Sequence, residues 1–280
     1  MSRSYLFIPA NRPGMMQSAA CFSADAVIFD LEDSVAITEK DSARILLQEF
    51  LTANTFDYEV VVRINSLDQN DGILDLETIV GPKVDAIMLP KATVENVQKL
   101  AYRLANFEKA RKINKEIAII PLVETAIGVL EVEEIVCLDR VKGILLGAED
   151  LTSDMEIERN KTGEEITYPR ARIAFACHAA KVEAIDTPFT DVNDDEGLVA
   201  DALRARKLGM TGKSAIHPNQ IPVINEIYAP SEKQIAQALR IVEAASIHQG
   251  VFSLDGNMID KPIIDRSEKI ISKAKRYDLL

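Results

Sequence analysis

At 280 residues, 47% of them hydrophobic and 27% charged, the chain is long enough to bury its own core, as one large α/β domain or two smaller ones. A formal net charge of −12, from 44 acidic against 32 basic residues, argues against a nucleic-acid backbone or an anionic membrane surface as partner. Cys21, Cys137 and Cys177 lie far apart with no CxxC pair, which points away from a disulfide framework or zinc site. With no transmembrane-length run and no signal-peptide core in "MSRSYLFIPANRPG", the expected location is cytoplasmic.

In chain order, short β-rich runs alternate with helical ones. YLFIP (5–9) is followed by PANRPG, which is not the GxGxxG turn of a doubly wound dinucleotide-binding sheet. AVIFDLED (26–33) leads to an amphipathic stretch from Asp41 to Leu51. EVVVRIN (59–65) and VDAIMLPK (84–91) precede a long helix, charged on one side, from Glu95 to Lys112. IAIIPLVE (117–124) runs into a helical start at TAIG, and VKGILLGAED (141–150) precedes a helix from Tyr168 to Lys181. EAIDTPF (183–189), a helix from Asp194 to Leu208, GKSAIH (212–217) and a helix from Glu232 to His248 complete the alternation.

Such alternation implies a parallel sheet, and unbroken apolar strands such as IAII imply one covered by helices. Eight units in about 250 residues predict an α/β fold of the (β/α)8 TIM-barrel type. Further on, Gly250 and DGN (255–257) supply turns. Pro262 then opens a helix carrying Ile263, Ile264, Ile270, Ile271 and Ala274. The expected division is a barrel core over 1–230 and, over 231–280, a closing helix with a C-terminal helical extension.

The polar residues collect at the strand ends. Asp30, Glu32 and Asp33 end the second run, Arg63 and Asn65 the third, Lys91 the fourth, Glu124 the fifth, Asp150 the sixth and His217 the eighth. In a parallel barrel these ends share one mouth, where catalytic residues gather. Taken singly, several have a plainer reading. Asp33 or Asp150 could cap the following helix, Arg63 could pair with a buried acid, and His217 could be a packed loop histidine. Glu124 is harder to set aside, because it follows unbroken apolar or Pro positions and Glu is not a favoured cap. Two or three carboxylates with open water positions suit Mg²⁺, whereas His178, His217 and His248 do not make a multi-histidine zinc site. GKS (212–214) is no Walker A loop, since Lys207 stands where that motif needs Gly, and neither GxSxG nor HExxH occurs.

Over nearly its whole length the chain resembles the citrate lyase beta subunit family, within the HpcH/HpaI-type aldolases. The resemblance rests on RSYLFIPANRP (3–13), FDLEDSV (29–35), VVRIN (61–65), IMLPK (87–91), PLVETAIGVL (121–130), GAEDL (147–151), AIDTPFTDVND (184–194), GKSAIHPNQI (212–221) and GNMID (256–260), in that order. It implies a (β/α)8 barrel that binds Mg²⁺ and cleaves a C–C bond in a 3-hydroxyacyl thioester carried by CoA or an acyl-carrier protein. By the same resemblance Glu124 and Asp150 are metal ligands, and Arg63, Arg12 and Glu124 contact substrate. Asp30, Glu32 and Asp33 hold metal-bound waters. Asp260, catalytic like Arg63, reaches the mouth of a neighbouring subunit in a homotrimer or hexamer, with citrate lyase alpha and gamma subunits as further partners. The residues alone leave another course open for the extension: it could fold back on its own helices, with Asp260 as a cap. Ala10, where the family commonly has Gly, and Met210, where it commonly has an aromatic, leave the substrate choice open. Lys91 is expected in a structural or phosphate-contacting role, not as a Schiff-base lysine. A thioester hydrolase on the same metal site and a non-catalytic acyl-CoA-binding barrel are the competing functions.

Overall fold

The computed structural model describes residues 2–248 and 250–280. Eight strands alternate with helices. The first half runs β1 (Ser4–Pro9), α1 (Pro13–Ser18), β2 (Ala26–Asp30), α2 (Lys40–Ala53), β3 (Glu59–Arg63), α3 (Asn70–Ile79), β4 (Ala86–Leu89) and α4 (Val94–Arg111). The second half runs β5 (Ala118–Val123), α5 (Ala126–Leu130), α6 (Val132–Ile135), β6 (Gly143–Leu146), α7 (Ala148–Asp154) and α8 (Thr167–Ala180). It closes with β7 (Glu183–Asp186), α9 (Asp195–Leu208), β8 (Gly212–Ala215) and α10 (Gln220–Tyr228). All eight strands pair in parallel, each with the next, and β8 returns to β1 through Ser4↔Lys213 and Leu6↔Ala215. The result is the (β/α)8 barrel that the alternation predicts.

Strand alternation builds two apolar layers. One set, including Tyr5, Ile28, Val61, Met88, Ile120, Leu122, Leu145 and Ile185, forms a fully packed cluster. The other set meets the helices: Phe29 of β2, for example, packs edge-on against Phe50 of α2 at 5.6 Å. Helices bury residues at helical spacing, as α4 does with Val97, Leu100 and Leu104, behind a Thr93 cap that accepts the Asn96 amide.

The strands end earlier than the apolar runs suggest. β2 stops at Asp30, β3 at Arg63, β4 at Leu89, β5 at Val123, β6 at Leu146, β7 at Asp186 and β8 at Ala215. Glu32, Asp33, Asn65, Lys91, Glu124 and His217 therefore stand on loops just beyond the sheet, and Asp150 stands inside the first turn of α7. Beyond β2, β3 and β4, backbone amides turn towards carboxylates instead of continuing the ladder: those of Glu32 and Ser34 to Asp30, that of Asn65 to Asp75 and that of Lys91 to Glu124. The sequence pattern also omits α3, whose Gly72 and acidic start weaken its helical signal. Tertiary contacts fix it, with Asp75 buried and accepting from Arg44 Nε (2.8 Å), the Asn65 amide (2.8 Å) and Asn65 Nδ2 (2.8 Å).

The chain divides into two compact units, the first reaching Ile224 and the second Asn225–Leu280. The break falls within α10, where the sequence reading places it after residue 230. In the second unit α11 (Glu232–Ile247) and α12 (Lys261–Arg276) pack on one another. Between them lies the antiparallel hairpin of β9 (Phe252–Leu254) and β10 (Asn257–Ile259). Its two-residue turn is Asp255-Gly256, both at positive φ (54° and 78°), the conformation for which Asp-Gly is suited. Ser231 and Gln234 form a reciprocal capping box on α11. Among the described residues no helix is long and apolar enough to cross a membrane.

Candidate active site

The barrel mouth is organised around Asp30, the last residue of β2. The chain folds back over its carboxylate, so that the amides of Glu32 and Ser34 donate to Oδ1 (2.9 Å) and Oδ2 (3.1 Å). Arg63, at the matching end of β3, donates from Nε (2.7 Å) and a terminal nitrogen (2.6 Å) to the same two oxygens. Burial by itself would raise the Asp30 pKa, but the Arg63 hydrogen bonds and charge, with the two amides, hold it below the usual carboxylate range. The other terminal nitrogen of Arg63 lies 3.1 Å from Glu32 and 3.6 Å from Asp33, and the guanidinium carbon sits 5.0 Å from the centre of the Phe7 ring. Lys40 reaches back to the carbonyls of Leu31 (2.8 Å) and Glu32 (2.7 Å) and pins the loop that carries these acids.

Glu124 follows β5 directly and is buried. Its Oε1 accepts the Lys91 amide at 2.7 Å, on a backbone turned to positive φ (48°) at Lys91. What Lys91 contributes is thus its peptide N–H, while the side chain is exposed. Thr125 caps α5 by accepting the Gly128 amide, so Glu124 has no capping duty. Gly147 must lack a side chain: a Cβ there would come 2.7 Å from the Cβ of Glu124 and 2.9 Å from its Oε2. That close approach brings the start of α7, and with it Asp150, beside Glu124. Burial first, then the negative charges of Asp150 and Glu32, push Glu124 up to about 8, against the Lys91 amide and Arg63. Burial likewise pushes Glu32 up to about 7, Asp33 and Asp30 adding to it and Arg63 opposing.

These groups line one cavity of about 410 Å³, with Asp30, Asp33, Arg63, Glu124, Glu149 and Asp150 on its polar side. Phe7, Pro9, Leu122, Leu145, Pro188 and Ile216 supply its apolar side, and Thr187 and the backbone around Gly147 complete it. Asp150 is exposed and its carboxylate makes no cap: the N-cap of α7 is Gly147. Asp33 caps nothing either, since Ala36 and Glu39 hold the next cap positions. Arg63 does take the ion-pair role open to it from sequence, with Asp30. His217 accepts the Asn219 amide through Nδ1 (3.2 Å), as a loop histidine does. Arg12 is exposed at the start of α1 and is not among the lining residues. Asp260 belongs to the second unit, where its Oδ1 accepts the Ile263 amide at 3.2 Å and caps α12. Thr187, Gly147 and Phe7 are site residues that sequence reasoning did not single out, although each lies within a stretch that drew attention for other reasons.

Among the described residues no three His, Cys, Asp or Glu side chains converge as a ready-made ion cage. The mouth instead offers two carboxylates, Glu124 and Asp150, in a setting with an excess of negative charge. Among the described residues the hydrogen bond to Glu124 goes to its Oε1, and an all-oxygen pair of this kind fits Mg²⁺, which is commonly held by one or two carboxylates and keeps several waters. The residues therefore fit the cation.

A closed parallel barrel with a convergent carboxylate–arginine mouth defines a barrel enzyme of the metal-assisted kind. Residues 3–218 match the family model described as HpcH/HpaI aldolase/citrate lyase, and the chain belongs to that family. The citrate lyase subunit beta of Leuconostoc mesenteroides subsp. cremoris is 38% identical, over 100% of this chain and 95% of its own length. The mitochondrial citramalyl-CoA lyase of Rattus norvegicus is 32% identical, over 97% of this chain and 86% of its own. Among solved structures, CitE from Mycobacterium tuberculosis in complex with magnesium, acetoacetate and coenzyme A superposes with a TM-score of 0.82 at 34% identity, covering 98% of each chain.

Proposed function

We propose that this protein is a Mg²⁺-dependent carbon–carbon lyase that cleaves a 3-hydroxyacyl thioester of the citryl, citramalyl or malyl type into a 2-oxo acid and an acetyl thioester. The observation that carries the reading is that Glu124, Asp150 and Arg63 line one cavity at the barrel mouth. Relatives named as citrate lyase beta subunit and citramalyl-CoA lyase support it, as does the magnesium and coenzyme A bound to the M. tuberculosis protein.

The residues divide the work as follows. Glu124 and Asp150 hold the metal. When bound, Mg²⁺ supplies a Lewis acid for the substrate's hydroxyl and adjacent carboxylate. Asp30 clamps Arg63 by two bonds, leaving its other terminal nitrogen beside Glu32 and Asp33 at the cavity wall, from where the guanidinium would meet the negative charge that grows on the thioester oxygen. In the cleavage the hydroxyl gives up its proton and becomes the carbonyl of the 2-oxo acid. The C–C bond breaks, and its electron pair passes to the thioester as an enolate, which takes a proton at carbon. Phe7, Leu122 and Leu145 form an apolar floor that limits water at this step. The family resemblance gives Asp30, Glu32 and Asp33 the metal-bound waters; of these Asp33 lines the cavity, while Asp30 already accepts four hydrogen bonds. Arg12 on the exposed first loop would meet the thioester carrier.

The test is an assay of citryl-, citramalyl- and malyl-CoA with purified protein, in parallel with the acyl-carrier-protein forms, following 2-oxo acid and free thiol together. Oxo acid without thiol, abolished by chelator and restored by Mg²⁺, is the expected result. Thiol without oxo acid would make the protein a thioester hydrolase. Dependence on the carrier-protein form would point to partner chains like the alpha and gamma subunits of citrate lyase.

We further propose that the protein is a cytoplasmic homotrimer or hexamer in which Asp260 supplies the proton-transfer group at a neighbouring mouth. Exposed Val251 (63%) and Met258 (65%) on the segment leading to Asp260 support a contact there. Because Asp260 also caps α12, Asp260→Asn, which keeps the capping oxygen, is the informative variant. Exchanging subunits between inactive Asp260→Asn and inactive Asp150→Asn proteins should regenerate activity. A fully active monomer at assay concentration would sink the shared site.

A further inference from the structure

Behind the mouth, between β7, β8, α8 and α9, lie four buried charges. Arg170 of α8 donates to Asp186 (2.7 and 3.0 Å) and Asp201 (2.8 and 3.0 Å). Lys213 of β8 donates to Asp186 (2.6 Å) and Asp201 (2.6 Å). All four side chains are no more than 2% exposed. An ammonium has three protons to place. The third goes outside the ion cluster, to the carbonyl of Thr187 at 2.7 Å, the first residue beyond β7.

Thr187 is itself fully buried from the outside, yet it lines the cavity. Its Oγ1 accepts the amide of Ala148 at 3.2 Å. That amide is the first of α7, a helix whose own N-cap is Gly147 and carries no capping side chain. Gly147 is excluded from bearing one by the close approach of Glu124. The cap that the helix needs therefore comes from the loop after another strand, β7. Two residues after Ala148 stands Asp150. A chain of contacts thus runs from the Lys213 ammonium, through the Thr187 carbonyl and hydroxyl, to the turn that sets Asp150 beside Glu124.

We infer that Thr187 is a positioning residue for the metal centre, capping α7 in place of a local cap and so fixing Asp150 relative to Glu124, with Lys213 holding the Thr187 peptide. This rests on the reading of Glu124 and Asp150 as the metal pair. It needs no contact between Thr187 and the substrate.

The test uses the full-length protein with Thr187→Val, which keeps the shape and loses the acceptor, and Thr187→Ser, which keeps it. Binding is read with Mn²⁺ alone, without substrate, and the Ala148 amide is followed by hydrogen exchange. Thr187→Val should remain folded, lose protection at Ala148, and bind Mn²⁺ on the order of five- to tenfold more weakly, the size of one hydrogen bond's net worth. Thr187→Ser should restore both. Unchanged Mn²⁺ affinity in folded Thr187→Val, or a change in substrate KM alone, would overturn the inference, as would failure of Thr187→Ser to restore. If the unaltered protein binds no Mn²⁺, the metal pair itself is wrong, while Ala148 protection still decides who caps α7.

Discussion

Two groups of charge in the barrel unit follow different plans. Between β7, β8, α8 and α9, two cations meet two anions, every pair within 3.0 Å and closed to solvent. At the mouth, Asp30, Asp33, Glu124, Glu149 and Asp150 line the cavity with Arg63 as the lining cation, and Glu32 stands behind it. The consequences for the acids are opposite. Burial alone would raise Asp201, but the Lys213 and Arg170 charges hold it low. Burial raises Glu124 to about 8 and Glu32 to about 7, and neighbouring acids push the same way. A balanced cluster needs no counter-ion from solution, so its work is structural. An unbalanced one is completed by a cation, so its work is done on something that enters.

The contrast breaks most visibly at Asp150. Asp150→Asn should remove metal-dependent turnover down to the assay background, yet shift stability by no more than about 0.5 kcal/mol, since the side chain is exposed and caps nothing. Chelator titration and a thermal melt measure the two sides. Full turnover in the variant would leave the mouth without its metal pair. The opposite pattern belongs to the balanced cluster: Lys213→Met leaves Asp186 and Asp201 to share Arg170 as their one buried cation, with one negative charge uncompensated, and should cost roughly 3–5 kcal/mol by denaturant unfolding. If its midpoint barely moves, the cluster is not the structural element its geometry indicates.

Much of this was legible in the residues. Runs such as AVIFD and IAIIPLV declare buried parallel strands, and eight of them close the barrel. Polar residues after each run mark the mouth. The strand ends were not legible, because they depend on partners distant in sequence: the Lys91 amide leaves the ladder for Glu124, 33 residues away. The cap of α7 was not legible for the same reason. Asp150 has the chemistry of a cap, but Gly147 takes the position and Thr187, 39 residues from Ala148, does the work. The metal roles proposed for Glu124 and Asp150 come from family resemblance, since two lone carboxylates have no spacing signature.

Arg63 stands on the boundary between the two plans, paired like the buried cluster yet 11% exposed to the cavity. Arg63→Lys keeps the charge but loses the planar fork, so it cannot both grip Asp30 by two bonds and face substrate. A fall in kcat on the order of 10²-fold is expected, the loss typical of one charge-stabilising donor. A variant that merely unfolds more easily, with unchanged specific activity in its folded fraction, would assign Arg63 wholly to structure.

The smallest effect tests the balanced plan where it meets water. Glu108 of α4 pairs with Arg140 through two bonds (2.6 and 2.8 Å) and accepts the Ile117 amide at 2.7 Å, tying α4 to the start of β5. Burial opposes ionisation, but Arg140 and the amide outweigh it and hold Glu108 below its ordinary 4.5. A carboxylate lowered on folding adds stability above the unfolded value, and that stability is lost as pH falls through the folded value. The unaltered protein should therefore weaken below about pH 4.5, in part through this group. Glu108→Gln should be less stable at pH 7 and lose less on acidification, so that the two unfolding curves approach one another in acid. Parallel curves over that range would mean that the pair, although balanced in geometry, contributes nothing to the fold.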